Sequence, residues 1–261
     1  MTGRFQIDHV VIKVTDLDRA MADYEALGFS VVRGGEHPMW GSRNALVCFA
    51  DGSYLELIAY GAGMPKEGLS RHEARMLSRA QVSDGLVDYA VLPEHIERDL
   101  NVLREHGLDY EGPLPGGRMR PDGQEVRWEM GLPDGRDLPF LCGDVTPRHL
   151  RVPEGEIREH ENGALGIVEV GVAVKDLDVS AGRYGVLLGV RPNRLDSGTV
   201  CFSCGQVRVV LSAPTDEAVR EHLTERGVGP WRVGLATRLA EAETVDVGLA
   251  HGARIEFVSG N

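Results

Sequence analysis

The stretch IDHVVIKVTDLDRAMADYEALG, residues 7–28, decides the fold because a second copy of it occurs later in the chain. Residues 167–189, IVEVGVAVKDLDVSAGRYGVLLG, align with it at an offset of 160 positions. Each copy has an apolar run, an Asp suited to capping a helix, an amphipathic segment and a terminal Gly. This order predicts a β-strand followed by an α-helix, and its recurrence predicts a repeated module.

Two weaker copies of the same beginning lie at residues 85–107 and 230–252. Short strand-like runs separated by turn residues follow the first three helices, which predicts the order β-α-β-β-β for each module. We therefore predict an α+β fold in which repeated βαβββ modules pair into open barrel-like mixed sheets. A single unit leaves one face of its sheet bare, and pairing of two units around a cavity covers that face.

The repeats also predict how the chain divides. A polar, Pro-containing stretch at residues 144–163 is the candidate boundary between two regions. The first region is predicted to span residues 1–145 and to contain two βαβββ modules, 5–61 and 85–145. The second region is predicted to span residues 164–261 and to contain a βαβββ module, 164–213, and a truncated βαβ module, 230–258.

Composition limits the classes of partner. The 261 residues carry a formal net charge of −12 and a pI near 5.2, which argues against nucleic acid or an anionic membrane surface as partner. No apolar run approaches the roughly 18 residues that would span a bilayer. The N-terminus lacks the pattern of a signal peptide, so we expect a cytoplasmic protein. Neither a GxGxxG after a strand nor a Walker loop is present, and no nucleotide cofactor is expected.

Strand alternation predicts which side chains face the cavity. In the first strand, Val10 and Val14 share the face suited to packing beneath the helix, whereas His9 lies on the opposite face. Glu56, in the strand-like run SYLELIAY, also lies on the face away from the helix. Glu169 occupies the position of His9 in the second copy. All three are therefore predicted to line a cavity.

The chain resembles the vicinal oxygen chelate superfamily, and more narrowly its glyoxalase-like domain proteins, in the segments IDHVVIKVTDLD, GGEHPMWGSRN, SYLELIAY, VRWEMG and LPF. The superfamily includes glyoxalase I, extradiol dioxygenases and bleomycin-resistance proteins. The resemblance therefore implies a fold and leaves the reaction open, because one fold hosts many activities.

Metal-binding members of this superfamily take ligands from the first and last strands of a βαβββ unit, which implies His9 and Glu56 as metal ligands here. The second module has Tyr89 and about Phe140 at the matching places. Glu169 would be the third ligand if the first and third modules pair around one cavity. The other interpretation of His9 is a buried histidine hydrogen-bonded to a carboxylate without a metal.

Glu169 and His37 are the candidate catalytic residues. Burial would raise the pKa of Glu169 and make it a base, whereas a solvated Glu169, or one paired with a cation, would have no such role. His37 precedes a proline, which favours an extended or turn conformation. Its segment, GGEHPMWGSRN, is either a loop shaped around a substrate or an ordinary surface loop.

The candidates for substrate contact are Trp40, Asn44, Tyr54, Tyr60, Trp128 and Arg127. The aromatic residues would supply apolar walls of a pocket. An inward-facing Arg127 would bind a substrate carboxylate. Val126, Trp128 and Met130 form the apolar alternate set, however, and this places Arg127 on the other face, where a salt bridge is the competing interpretation.

Together these features predict a metalloenzyme acting on a small oxygen-bearing metabolite. A divalent ion (Zn, Ni, Mn or Fe) held by His9 and Glu56, and completed by Glu169, His37 or water, would stabilise an enolate or similar oxyanion. A nearby carboxylate would move the proton, and isomerase, lyase and dioxygenase chemistry are all compatible. The alternative is a metal-free small-molecule or antibiotic binding protein of the bleomycin-resistance type. A homodimer is also left open.

Overall fold

The structure, a computed structural model, describes residues 4–38, 41–61, 70–239 and 244–259. Its helices are α1 Leu17–Ala26, α2 Arg71–Gln81, α3 Ile96–Glu105, α4 Arg148–Arg151, α5 Leu177–Leu188 and α6 Glu217–Glu225. Its first eight strands are β1 Gln6–Lys13, β2 Val32–His37, β3 Ser42–Cys48, β4 Tyr54–Tyr60, β5 Gly85–Leu92, β6 Tyr110–Met119, β7 Glu125–Pro133 and β8 Phe140–Asp144. The remaining strands are β9 Ala164–Ala173, β10 Asn193–Arg194, β11 Thr199–Cys204, β12 Val207–Ser212, β13 Gly229–Thr237 and β14 Ile255–Ser259.

The first eight strands form a closed barrel in the order β1-β4-β3-β2-β6-β7-β8-β5. Strand β1 is parallel to β4, the last strand of its own module, and antiparallel to β5, the first strand of the next. The α+β class and the repeated βαβββ modules are confirmed. The first pair of modules closes completely, because β2 also pairs with β6 at the far side.

The remaining strands form a second, six-stranded sheet in the order β10-β11-β12-β9-β13-β14. Strand β9 lies beside β12 in parallel and beside β13 in antiparallel fashion. The βαβ prediction for residues 230–258 differs from the structure. The described residues 244–254 between β13 and β14 form turns rather than a helix, since Asp246 accepts backbone hydrogen bonds in a turn that closes at Gly252.

One apolar core lies between the outer face of the barrel, the helices and the second sheet. Val10 and Val14 of the first copy and Val170 and Val174 of its repeat all belong to this core. Tyr89 also points into it, where its hydroxyl contacts that of Tyr184. The alternation of β1 therefore divides its residues between this outer core and the barrel interior.

Candidate functional site

The barrel interior contains a cavity of about 60 Å³, close to the liquid-state volume of about two water molecules at roughly 30 Å³ each. It is lined by residues of strands β1, β2, β3, β4, β6, β7 and β8 and of helices α2 and α4. Its polar groups include His9, His37, Glu56, His72, Arg79 and Arg118, and its apolar walls include Ile58, Trp128, Met130 and Phe140. The cavity is thus small, buried and rich in titratable side chains.

His9 lies between two carboxylates at the wall of this cavity. Its Nδ1 is 2.6 Å from Oδ2 of Asp8, and its Nε2 is 3.6 Å from Oε2 of Glu56. The ring stacks on Tyr54 with centroids 4.5 Å apart and meets the ring of Phe140 edge-on at 5.4 Å. Only 3% of His9 is exposed, so the imidazole is held in one orientation by contacts on both faces.

Asp8 is the residue that orients His9. Arg151 donates to both of its carboxylate oxygens, at 2.8 and 3.0 Å, and Arg148 donates to Oδ1 at 2.7 Å. Burial acts to raise the pKa of Asp8, but Arg151 and His9 hold that pKa well below its usual range. An ionised Asp8 accepts the Nδ1 proton of His9, and Nε2 is left to face Glu56 and the cavity.

Glu56 comes from β4 and is positioned by Asn44 of the neighbouring strand. Asn44 Nδ2 donates to Oε1 of Glu56 at 2.6 Å, and Asn44 itself is not among the residues that line the cavity. Burial acts to raise the pKa of Glu56, but His9, His37 and the Asn44 hydrogen bond lower it below its ordinary value. Glu56 is therefore a carboxylate facing Nε2 of His9.

His37 is a second imidazole at the cavity. Burial lowers its pKa, and the opposing attraction of Glu56 does not restore it. Its Nδ1 is 3.1 Å from Oγ of Ser42, and its ring meets Trp128 edge-on with centroids 5.9 Å apart. The cavity thus holds a neutral histidine as well as the His9 ring with its carboxylates.

Helix α2 covers the cavity with His72, Met76 and Arg79, which sequence reasoning missed. The sequence contains a pattern that indicates the start of this helix, because Ser70 and Glu73 have the spacing of a capping box and form one in the structure. Arg79 also places its guanidinium 4.9 Å from the ring centroid of Phe140. The helix therefore contributes both wall and charge to the site.

Asp88 of β5 anchors this helix to the barrel. Arg75 donates to it at 2.7 and 2.8 Å, and Arg79 forms a further ion pair with it. Burial acts to raise the pKa of Asp88, yet Arg75 and Arg79 lower it from 3.8 to about 2. A lowered native pKa stabilises the fold above the unfolded pKa, and that contribution is lost as the pH falls from 3.8 towards 2.

We expect Asp88→Asn to be less stable than wild type at pH 7 and the difference to shrink below pH 4. The part that disappears by pH 3 is about 1 kcal/mol, roughly half of the free-energy equivalent of a pKa lowered from 3.8 to about 2. Urea unfolding of both proteins between pH 7 and pH 3 measures it. A difference that stays constant over this range would show that Asp88 does not hold α2 as an ionised group.

A three-ligand metal centre is not assembled by the predicted residues. His9 and Glu56 face each other, and Asp8 supports His9 in the way that carboxylates support metal-binding histidines. Catalytic zinc sites, however, have three protein ligands. Within the described ranges, no three His, Cys, Asp or Glu side chains lie close enough to hold a metal. Cys142 lines the cavity, but burial raises the pKa of its thiol, which disfavours a thiolate ligand.

Glu169 is the predicted ligand that the structure places elsewhere, and this corrects the proposed ligand set. It lies on β9 of the second sheet, where Arg208 is 2.7 Å and Arg232 is 2.5 Å from its carboxylate. The first module pairs with the second rather than with the third, so Glu169 is not in the His9 cavity. Its charge is matched by two guanidinium groups, as in the competing interpretation.

Two other predicted residues, Arg127 and Tyr60, do not line the cavity. Arg127 is exposed on the outer face of β7, so its role as a substrate clamp is also corrected. Tyr60 packs against the apolar cluster that surrounds the cavity but belongs to a separate shallow groove. Trp40 lies outside the described residues. Tyr89 points into the outer core, and Ala90 is the residue of β5 that pairs with His9.

A barrel of paired βαβββ modules that encloses a cavity with inward His and Glu residues defines a vicinal oxygen chelate protein. The sequence model of the glyoxalase-like domain matches residues 7–188, and the chain belongs to that family. No curated protein matches the sequence. Among the described residues, no helix is long and apolar enough to cross a membrane.

Solved structures share the fold at low sequence identity. A hypothetical protein from Staphylococcus aureus is 14% identical with a TM-score of 0.77, over 98% of this chain and 99% of that one. A mutant 4-hydroxymandelate synthase from Streptomyces coelicolor is 14% identical with a TM-score of 0.58, over 90% and 72%. A xylose isomerase-like TIM barrel/4-hydroxyphenylpyruvate dioxygenase fusion protein is 13% identical with a TM-score of 0.57, over 92% and 37%.

Proposed function

We propose that this protein is an enzyme that moves a proton on a small oxygen-bearing metabolite, in an isomerase- or lyase-type reaction. The observation that carries the proposal is the buried row Asp8–His9–Glu56, which presents Nε2 of His9 to the barrel cavity. An imidazole oriented by one carboxylate and facing another is suited to general acid–base catalysis.

In the proposed step, Nε2 of His9 removes a proton from a substrate carbon that lies next to a carbonyl group. The resulting imidazolium is stabilised by Asp8 at one nitrogen and by Glu56 beside the other. The electron pair left on the substrate forms an enolate, and a ring N–H of the neutral His37 is the proposed donor to its oxygen. When the deprotonated carbon carries a hydroxyl, return of the proton to the former carbonyl carbon, with the hydroxyl proton passing to the enolate oxygen, completes an isomerisation and leaves His9 neutral again.

The metal-assisted form of this reaction remains a prediction of the family resemblance. His9 and Glu56 are the residues that would hold a divalent ion, which would act as a Lewis acid when bound. Because they are only two protein ligands, we expect protein purified without added metal to contain clearly less than a stoichiometric amount. Elemental analysis tests this. A full equivalent in wild type that is lost in both His9→Ala and Glu56→Ala would establish the metal-assisted form.

Cavity size favours an enzyme over the antibiotic-binding alternative. Sites for drug-sized ligands enclose about 300–1,000 Å³, whereas the cavity around His9 measures about 60 Å³. A substrate of only a few heavy atoms matches the smaller volume. This supports a small metabolite as the molecule acted on.

Solvent deuterium exchange tests the proposed function without knowledge of the product. Hydroxy and keto compounds of about two to four carbons are incubated with wild-type protein in D₂O and followed by proton NMR. We expect at least one of them to exchange a C–H proton next to its oxygen, and His9→Gln to abolish the catalysed exchange. Equal exchange by wild type and His9→Gln would overturn the proposal.

A further inference from the structure

We propose that Arg118 binds a carboxylate of the substrate, so that the substrate class is a small organic acid with an oxygen beside its carboxylate. This inference rests on the proposed function of the same cavity. It concerns recognition rather than proton transfer, and it can therefore be tested by binding alone.

Arg118 is a buried guanidinium for which no anionic partner lies among the described residues. It projects from β6 to the wall of the cavity and is 3% exposed. One terminal nitrogen donates to the backbone oxygen of Arg151 at 2.7 Å, whereas Nε is buried and has no acceptor within the part of the chain that the structure describes. Among the described residues, no carboxylate forms an ion pair with it. An Nε–H at the cavity wall is therefore available to a ligand.

The other buried arginines around this cavity show what Arg118 lacks. Arg75 and Arg79 share the carboxylate of Asp88. Arg151 binds both Asp8 and Asp144. Each of these cations has at least one carboxylate partner within the protein, which is the usual condition for burying a charge. Arg118, which lines the cavity, has no such carboxylate partner among the described residues.

A carboxylate ligand would supply the negative charge that the Arg118 guanidinium lacks. Arginine remains protonated in proteins, so burial leaves Arg118 as a cation rather than neutralising it. Glu56 is the carboxylate in the same cavity, but its oxygens already face Asn44 and His9. The planar guanidinium fork matches the two oxygens of a carboxylate. The ligand that completes the site is thus an anion with that geometry.

The size of the cavity restricts this anion. A volume of about 60 Å³ suits an anion that consists of a carboxylate and only a few further heavy atoms. Arg118, His9 and Glu56 line the same space, so an acid held at Arg118 has its next carbon within the cavity that His9 faces. Acids of about two to four carbons that carry a hydroxyl or carbonyl beside the carboxylate fit both groups.

Isothermal titration calorimetry of glycolate, lactate and pyruvate against glycolamide and lactamide tests the inference. The amides keep the shape of the acids and lack their charge. We expect saturable binding of at least one acid, no detectable binding of its amide, and a loss of affinity of roughly 10- to 100-fold in Arg118→Gln. Arg118→Lys should retain part of the affinity, since it keeps the charge without the fork.

The outcomes separate the two proposals. Equal binding of acid and amide by wild type, or unchanged acid binding in a folded Arg118→Gln, would overturn the role of Arg118. The acid-against-amide comparison uses only wild-type protein and remains decisive if Arg118→Gln does not fold. His9→Gln should still bind the acid. Acid binding that depends on Arg118 without any deuterium exchange would overturn the proposed function and leave this inference standing.

Discussion

His9→Gln is expected to lower the rate of catalysed proton exchange by about 10²- to 10⁴-fold, the usual contribution of a positioned general base. Glutamine fills a similar space and its amide can still donate to Asp8, which receives the Nδ1 proton of His9 in the wild type. Glutamine cannot accept a proton at neutral pH. The loss of exchange rate therefore measures the contribution of His9 as a base rather than a change in the fold. The measurement is the initial rate of deuterium incorporation into a substrate found in the wild-type screen.

Arg127→Gln is the matched control for this experiment. It also changes one side chain of the barrel, but Arg127 is exposed on the outer face of β7. We expect its exchange rate to equal that of wild type. A folded His9→Gln that retains the wild-type rate would show that another group removes the proton.

Asp8→Ala is expected to destabilise the protein by about 3–5 kcal/mol, the cost of removing one partner of a buried ion pair. Arg151 is 1% exposed, and Asp8 binds it through both carboxylate oxygens. Removal of Asp8 leaves this guanidinium with the carboxylate of Asp144 and the hydroxyl of Tyr54. It also leaves Nδ1 of His9 without its acceptor. Urea unfolding at pH 7 measures the change in the free energy of unfolding.

Asp178→Ala provides the comparison for a surface ion pair. Asp178 pairs with Arg194 on the surface of the third module, with 83% of the Asp178 side chain exposed. Exposed pairs contribute about 0–1 kcal/mol, so this variant should unfold close to wild type. If Asp8→Ala were no more destabilising than Asp178→Ala, the Asp8 cluster would not be a structural anchor for His9.

Much of the fold was predictable because it depends on local patterns. The capping aspartates Asp16 and Asp176 begin α1 and α5 in the structure and accept backbone N–H groups there. The alternation in β1 separates His9, in the barrel, from Val10, in the outer core. These features follow from the geometry of single helices and strands, which a sequence displays directly.

Two elements that complete the site were not predicted. Strand β6, which carries Arg118, reads YEGPLPGGRM, and its prolines and glycines argue against a strand. Helix α2 has a charged sequence, RHEARMLSRAQ, in which the buried residues are His72, Arg75 and Arg79 beside a single methionine, Met76. Its arginines are buried because Asp88 of β5 lies opposite them, and nothing within the helix sequence itself shows that partner.

The sequence by itself determined the βαβββ module, its repetition, and the direction in which His9 and Glu56 face within their strands. Each of these depends on residues close together in the chain. Only the tertiary structure decided that the first module pairs with the second, that Glu169 therefore lies in another sheet, and that Arg118 lines the cavity. The pairing of modules depends on which of several similar sheet faces pack together. The packing of the whole core determines this, and no single segment of the sequence does.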